Sequence, residues 1–380
     1  MRAYKVKLKL NNKQRTKCYQ YARTSHFAYN WCLEKQETNY KNGGKFLGDC
    51  EVRKQFTQFK HSPENSWLYE INNNVTKQAI KDCCEAYIRF FNKEANKPRF
   101  KSKRRSKLSF YQDSYNGFKV INENTVQLSN IGEVKLYESG YIPILENKEY
   151  KNIHISSDGI EWYISLTVEE NEPIKEFVND GIGIDLGIKS LATLNDDTQF
   201  ENINKTTRVK KLEKRLKRTQ RAISRKYEKN KDGKKFVKTQ NIFKQEKQIK
   251  KIYNRLNNIR NDHINKIISK IIKREPSFVV LENLNVSGML KNKHLSKAIQ
   301  QCKFYDIRQK LQQKLVNTTS QIILADRFYP SSKICNHCGK IKHNLKLSDR
   351  IYKCDCGYTE DRDINASKNL YNFGKEKLAS

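Results

Sequence analysis

No run of 18 apolar residues occurs anywhere in the 380 positions, which excludes a membrane-spanning helix. The N-terminus, Met1-Arg-Ala-Tyr-Lys-Val-Lys-Leu, alternates charged and apolar residues and lacks the apolar stretch of a secretory signal. Acidic residues are scarce: 41 Asp and Glu face 75 Lys and Arg, a net charge of +34. Such an excess opposes compaction unless a polyanion is bound, and nucleic acid is the usual one. A basic surface with no cognate partner is the plainer alternative. Ten cysteines without a secretory signal argue for a reducing compartment. A mass of 44.9 kDa allows two or three domains, each with a real core.

Tyr4, Val6, Leu8 and Leu10 alternate and predict a first strand with one buried face, ended by the Asn11-Asn12 turn. From about 13 to 91 the pattern is helical, interrupted at Asn42-Gly43-Gly44 and at Ser62-Pro63, with Tyr29, Trp31 and Leu33 as core. The stretch from Lys97 to Arg105 is a basic loop without apolar periodicity. Short alternating runs over 107–170, among them Phe118, Val120, Val126, Leu128, Ile153, Ile155, Trp162 and Ile164, predict a small β-barrel or sandwich. The helical block then reads as an insertion in it. A second composition begins near Asp180: Gly181-Ile-Gly183-Ile184-Asp185-Leu186-Gly187 reads as a buried strand and a tight turn. Residues 206–273 are basic and helical, with seams at Leu212, Leu216, Ile223 and Tyr227 and at Ile242, Ile249, Ile252, Leu256 and Ile259. Asn230-Lys-Asp232-Gly233 breaks them into an antiparallel hairpin. Phe278 to Leu284 is a buried strand, about 297–317 one helix, Gln321 to Asp326 a strand, and Ile364 to Phe373 a closing helix.

Three carboxylates stand in apolar company. Asp185 lies in a strand motif, Glu282 follows four apolar residues, and Asp363 precedes Ile-Asn-Ala on a helix. Singly, each reads as a strand or helix end facing solvent. Together, on a strongly basic chain, they read as a metal site, since burying unpaired carboxylates is expensive. Magnesium is the fitting cation, being hard and oxygen-loving. Two such ions about 4 Å apart serve phosphodiester hydrolysis, with Asp185 as the bridge and no separate base required.

Cys335-Asn-His-Cys338 and Cys354-Asp-Cys356, with Gly339 and Gly357 next to them, read as a four-cysteine zinc clasp. The second pair is one residue shorter than usual, and His337 is the alternative fourth ligand. Four protein ligands leave no open coordination position, so the clasp is scaffolding that folds a finger with little core of its own. Cys18, Cys32, Cys50, Cys83, Cys84 and Cys302 read as buried or surface thiols.

These residues together resemble the TnpB family, transposon-encoded RNA-guided DNA endonucleases related to compact type V CRISPR effectors. Gly183-Ile-Asp185-Leu-Gly187-Ile-Lys189 is similar to the first RuvC segment. Val280-Leu-Glu282-Asn-Leu284-Asn-Val286-Ser-Gly288-Met289 is similar to the second, and Asp361-Arg362-Asp363-Ile-Asn365-Ala366 to the third. Tyr329-Pro330-Ser331-Ser332-Lys333 resembles the family's lead into its zinc finger, Pro98 to Lys103 its basic loop, and Tyr29-Asn30-Trp31-Cys-Leu33 its N-terminal helices. Ser367 stands where a second alanine is common.

The resemblance implies an α/β and β multidomain chain. An RNase H-like RuvC nuclease domain (176–330 and 359–380) carries the helical hairpin 206–273 and a zinc finger (331–358). An N-terminal wedge β-barrel (1–10 and 96–175) carries a helical recognition insertion (11–95). It implies Asp185, Glu282 and Asp363 as catalytic ligands of two Mg2+ ions, with Asp361 the rival for the third place. Cys335, Cys338, Cys354 and Cys356 would hold structural Zn2+. The partners implied are a guide RNA from the transposon end and double-stranded target DNA beside a short flanking motif, with no membrane. Guide pairing reads the target, while the protein grips the heteroduplex by its backbone. Lys101, Lys103, Arg104 and Arg105 are candidate backbone contacts. Lys77 and Gln78, after Asn72-Asn-Asn74, are candidate base readers or the start of a capped helix. A cytoplasmic, nucleoid-associated prokaryotic protein, monomeric or weakly dimeric, is expected. The alternatives are a conventional transposase joining DNA ends, a non-cleaving RNA-guided repressor, and an RNA-processing factor.

Overall fold

The computed structural model describes residues 1–102, 106–113, 118–145, 150–169, 173–346 and 348–379. It divides into two compact units, Met1–Asn171 and Glu172–Ser380. Among the described residues no helix is long and apolar enough to cross a membrane.

The first unit opens with strand β1 (Arg2–Lys9), in which Tyr4, Val6 and Leu8 are buried and the intervening lysines face outward. Helices α1 (Asn12–Lys41), α2 (Asp49–Lys60) and α3 (Asn73–Phe91) follow. Then come β2 (Ser109–Tyr111), β3 (Phe118–Asn122), β4 (Thr125–Leu128), β5 (Gly132–Leu136), β6 (Lys151–Ser157) and β7 (Trp162–Val168). The strands form one antiparallel sheet in the order β2-β6-β7-β1-β5-β4-β3. β1 pairs with β7 from Arg2↔Val168 to Leu8↔Trp162 and with β5 at Leu8↔Leu136. The helices therefore loop out between strands that are neighbours in space. A one-residue slip of β1 would drive its lysines into the core, so register is strongly specified. Among the described residues no ladder joins the edge strands β2 and β3.

Helix α1 starts on a reciprocal cap: Asn11 Oδ1 accepts from the Gln14 amide at 2.8 Å, and Gln14 Oε1 accepts from the Asn11 amide at 3.1 Å. Its first turns put Cys18, Tyr21 and Ala22 into the core of the sheet. Its later turns put Tyr29, Trp31 and Leu33 into a separate core with α2 and α3.

The second unit begins with β8 (Ile182–Asp185), β9 (Ser190–Leu194) and β10 (Gln199–Glu201). Helix α4 (Thr207–Lys229), the small ladder β11 (Lys231–Asp232) with β12 (Lys235–Phe236), and helix α5 (Gln240–Ile272) make the hairpin. Val209 and Leu216 pack there against Ile252 and Leu256. Next come β13 (Phe278–Glu282), the single turn α6 (Val286–Met289), α7 (Ser296–Cys302), α8 (Phe304–Leu315) and β14 (Gln321–Ala325). The cysteine region holds β15 (Ile351–Lys353) and β16 (Thr359–Asp361), and α9 (Arg362–Ala379) closes the chain. The single helix expected over 297–317 is two. Lys303 sits in the left-handed region (φ 55°), which breaks the backbone between α7 and α8. Its ammonium there donates to Asn261 Oδ1 at 2.8 Å.

The central sheet runs β10-β9-β8-β13-β14; β8, β13 and β14 are parallel, while β9 is antiparallel to β8 and β10 to β9. Strand alternation sorts its faces. Ile182, Ile184, Val279 and Leu281 pack with Ile264 and Ile268 of α5 and Ile307 and Leu311 of α8. Phe278 and Val280 pack on the opposite face with Leu370 of α9. Covered on both sides, β13 reads as an unbroken apolar run. Gly183 lets α9 approach: a Cβ there would stand 2.2 Å from the Ser367 carbonyl oxygen and 2.5 Å from the Tyr371 nitrogen. Gly183→Ala must push the helix backbone away. A loss of about 1–3 kcal/mol is expected, the usual cost of overpacking, read as a lower urea midpoint. An unchanged midpoint would deny the close contact.

Candidate metal centres

Strands β8 and β13 are parallel with Ile184 opposite Leu281. The next residues, Asp185 and Glu282, therefore emerge side by side at the strand ends, roughly 4.8 Å apart in backbone spacing. Both face α9 by alternation. Helix α9 runs back along the strands, its Gly374 against Val280 and Phe278 and its Ser367 against Gly183. Asp363 lies one turn before Ser367, about 6 Å along the helix, and Asp185 two residues beyond Gly183, about 6.6 Å along the strand. Close packing at one glycine thus carries Asp363 over Asp185.

The electrostatics report the same meeting. Burial pushes the Asp185 carboxyl well above the usual carboxylate range, and the charges of Glu282 and Asp363 push it further, with Arg362 opposing. Burial also raises Glu282, opposed by a hydrogen bond from Ser331 and by Arg362. Asp361 instead caps α9, its Oδ1 accepting from the Asp363 amide at 2.9 Å and the Ile364 amide at 3.4 Å. Half-buried carboxylates whose charges oppose one another form a donor set that fits a hard cation.

The four cysteines meet in a tighter cluster. Cys335 and Cys356 Sγ are 3.7 Å apart, and Cys338 and Cys354 Sγ 3.6 Å. A tetrahedron with Zn–S bonds near 2.3 Å has edges of about 3.8 Å. The short Cys-x-Cys pair therefore reaches, helped by Gly357 (φ 90°) as Gly339 (φ 73°) helps the first pair. Among the described residues this is the one set of three or more cysteine, histidine or acidic ligands whose donor atoms all lie within 4.8 Å of one another. His337 Nδ1 is 3.9 Å from Cys356 Sγ, beside the clasp.

The proposed nucleic-acid contacts are scattered. Lys103, Arg104 and Arg105 lie outside the described residues. Lys101 is half-buried, its ammonium 3.9 Å from the Tyr29 ring centroid, and burial lowers its amine below the usual lysine value. Gln78 donates to Asp82 at 2.8 Å, Asn72 caps α3, and Lys77 is exposed. Two partners of the site carried no signal as such in the sequence, Ser331 and Asn369. Only the Tyr-Pro-Ser-Ser turn and the i,i+4 spacing of Asn365 and Asn369 on a buried helix face hinted at them.

Carboxylates at the ends of two parallel strands, a third on the helix packed against them, and a four-thiol cluster make two candidate sets of metal ligands. Family models match in three stretches: "Helix-turn-helix domain" over 1–45, "Probable transposase" over 164–293, and "Cas12f1-like, TNB domain" over 304–370. Residues 1–45 hold one strand and one long helix in the structure. The chain is 28% identical over 399 residues to "Putative RNA-guided DNA endonuclease InsQ" of Escherichia coli (strain K12), covering 100% of this chain and 94% of that protein. It is also 28% identical over 347 residues to "Putative RNA-guided DNA endonuclease" of Streptomyces pristinaespiralis, covering 91% and 82%. A solved structure, "Cryo-EM structure of the Cas12f1-sgRNA-target DNA complex", shares the fold at TM-score 0.55 and 14% identity, over 95% of this chain and 81% of that one. These likenesses agree with the resemblance to the TnpB family read from the sequence.

Asp185's raised proton affinity gives a testable pH dependence. A carboxyl whose folded pKa exceeds its unfolded value stabilises the fold below the unfolded value, and loses that contribution as pH rises through the folded one. The metal-free protein should therefore weaken as pH rises from about 4 toward neutrality and above. Asp185→Asn should raise the melting temperature at pH 8 by about 2–4 °C, the shift that roughly 1 kcal/mol gives a unit of this size. The two proteins should converge toward pH 5 in thermal unfolding.

Proposed function

We propose that this chain is an RNA-guided DNA endonuclease of a transposon, hydrolysing target DNA at the Asp185–Glu282–Asp363 centre beside a short flanking motif. The observation that carries the reading is the mutual charge of three carboxylates, distant in sequence, at the ends of two adjacent parallel strands and the start of α9. The names of the relatives, RNA-guided DNA endonucleases over nearly the whole length, support it. The strand order and its helices support an RNase H-like RuvC domain with the hairpin and finger inserted. The seven-stranded sheet with looped-out helices supports a wedge and recognition unit.

Asp185, Glu282 and Asp363 would hold divalent cations, Mg2+ by their oxygen character, and the four cysteines Zn2+. Bound Mg2+ supplies charge neutralisation at the phosphate and acidifies a water. The chain's own contribution is orientation. β8 and β13 fix two carboxylates on a rigid sheet, and α9 brings the third. Ser331 holds Glu282.

Positive charge supports a polyanionic partner. Residues 206–273 carry 24 basic against 5 acidic side chains, 19 of the 34 net charges. A cleft of about 1070 Å3 between α4, α5 and α7 is lined by Lys210, Lys214, Lys217 and Lys303, with the Tyr253 ring in its wall. Its one carboxylate, Glu213, is paired with Arg260 at 2.9 Å and Lys297 at 3.3 Å. A non-cleaving repressor could dispense with the acidic centre, which this chain keeps intact.

The test is purification from cells that also transcribe the transposon end, followed by sequencing of the bound RNA and cleavage of a plasmid matching it. One RNA species and guide-dependent double-strand breaks are expected. Asp185→Ala should abolish cutting while RNA and target binding persist. Strand-transfer products without guide dependence would favour the transposase reading instead.

A further inference from the structure

The stalk between β14 and the cysteine clasp passes directly beside Glu282. Ser331 is 3% exposed, and its hydroxyl donates to Glu282 Oε1 at 2.5 Å. A hydroxyl bonded to an ionised carboxylate is among the stronger hydrogen bonds and fixes the rotamer of its acceptor. The serine is itself held. Asn369 Nδ2 donates to the Ser331 carbonyl at 2.7 Å and to the Ile334 carbonyl at 2.8 Å. One turn earlier on α9, Asn365 Nδ2 donates to the same Ile334 carbonyl at 2.8 Å, and its Oδ1 accepts from the Asn336 amide at 3.1 Å.

Both asparagines are buried, 0% and 3% exposed. Buried amides persist where their bonds are satisfied, and here both bind the stalk. The helix that carries Asp363 thereby also carries the clamp that aims Ser331. We propose that Ser331 is a positioning residue for Glu282, held in place by Asn369, and that it sets the affinity of the carboxylate centre for divalent cations. The proposal rests on the reading of that centre as a metal site. Outer partners of this kind typically contribute 10–100-fold in metal affinity. A serine that only satisfied a buried polar group would change stability and leave affinity alone.

The experiment is Mn2+ titration of the full-length protein without nucleic acid, followed by the paramagnetic resonance signal of free Mn2+. Mn2+ shares the oxygen preference of Mg2+ and is directly visible. Wild type, Glu282→Gln, Ser331→Ala, Ser331→Thr and Asn369→Ala are compared, with melting temperature and zinc content measured for each. Ser331→Ala should weaken binding by about 10-fold or more. Ser331→Thr, which keeps the hydroxyl, should recover it, and Asn369→Ala should weaken binding with zinc retained. If Glu282→Gln weakens binding and Ser331→Ala does not, the positioning role is overturned and the metal site stands. If neither weakens it, the metal-site reading falls and the proposal with it. Should Ser331→Ala show no melting transition, Ser331→Cys, similar in size but a poor donor, takes its place. Wild-type affinity in that variant overturns the proposal.

Discussion

Helix α9 meets strand β8 backbone to backbone at Gly183, and the acidic centre depends on that contact. A side chain there would hold the helix off and lift Asp363 away from Asp185. The second glycine of the interface, Gly374, sits over Val280 and Phe278 two turns further on, so the helix is seated at both ends of the strand pair. Between them Leu370 fills the space, and Phe278 stacks on Tyr371 with ring centroids 5.9 Å apart. Packing geometry, more than any attraction among the acids, brings the carboxylates together, since their mutual interaction is repulsive.

That repulsion is tolerated because the surrounding polar network is satisfied. Asp361 caps the helix, Arg362 supplies a nearby positive charge, and Ser331 bonds Glu282. Arg362 is also fastened, donating to the Lys346 carbonyl at 2.8 Å and to Ser332 Oγ at 3.2 Å. The two centres divide by ligand softness. Thiolates suit zinc, while carboxylates suit a hard cation. The closed centre lies next to the open one in sequence, and its stalk touches the open one through a single hydroxyl.

Much of this was legible in the chain because it obeys simple periods. The alternation of Tyr4, Val6 and Leu8, the apolar run before Glu282 and the paired spacing of the four thiols each follow a short local pattern. The seams of α4 and α5 also follow period, though Val209 and the later core positions Ile264, Ile267, Ile268 and Ile271 lie outside the marked residues. What stayed hidden depends on contacts between distant segments. Lys303 breaks a helix whose apolar pattern continues through it. Ser331 and Asn369 are ordinary polar residues until the fold buries them. Lys101 reads as a free cation in a basic run, yet Tyr29, brought beside it by α1, draws the ammonium over its ring.

Charge placement adds a constraint on how such a chain folds at all. More than half of its net charge lies in the α4–α5 hairpin, where the buried seam is narrow and the remaining faces are cationic. Self-repulsion there costs little in the folded state, because the side chains project into water and are screened within about 10 Å at ordinary salt. The acids at the strand ends are different: they are half-buried and push on one another's charge. The molecule thus separates its two electrostatic liabilities. Repulsive positive charge faces solvent on the hairpin, and repulsive negative charge gathers at the strand ends. Each is relieved by a partner of opposite sign, so phosphate backbone on the hairpin and divalent ions at the strand ends would stabilise the same fold through separate contacts.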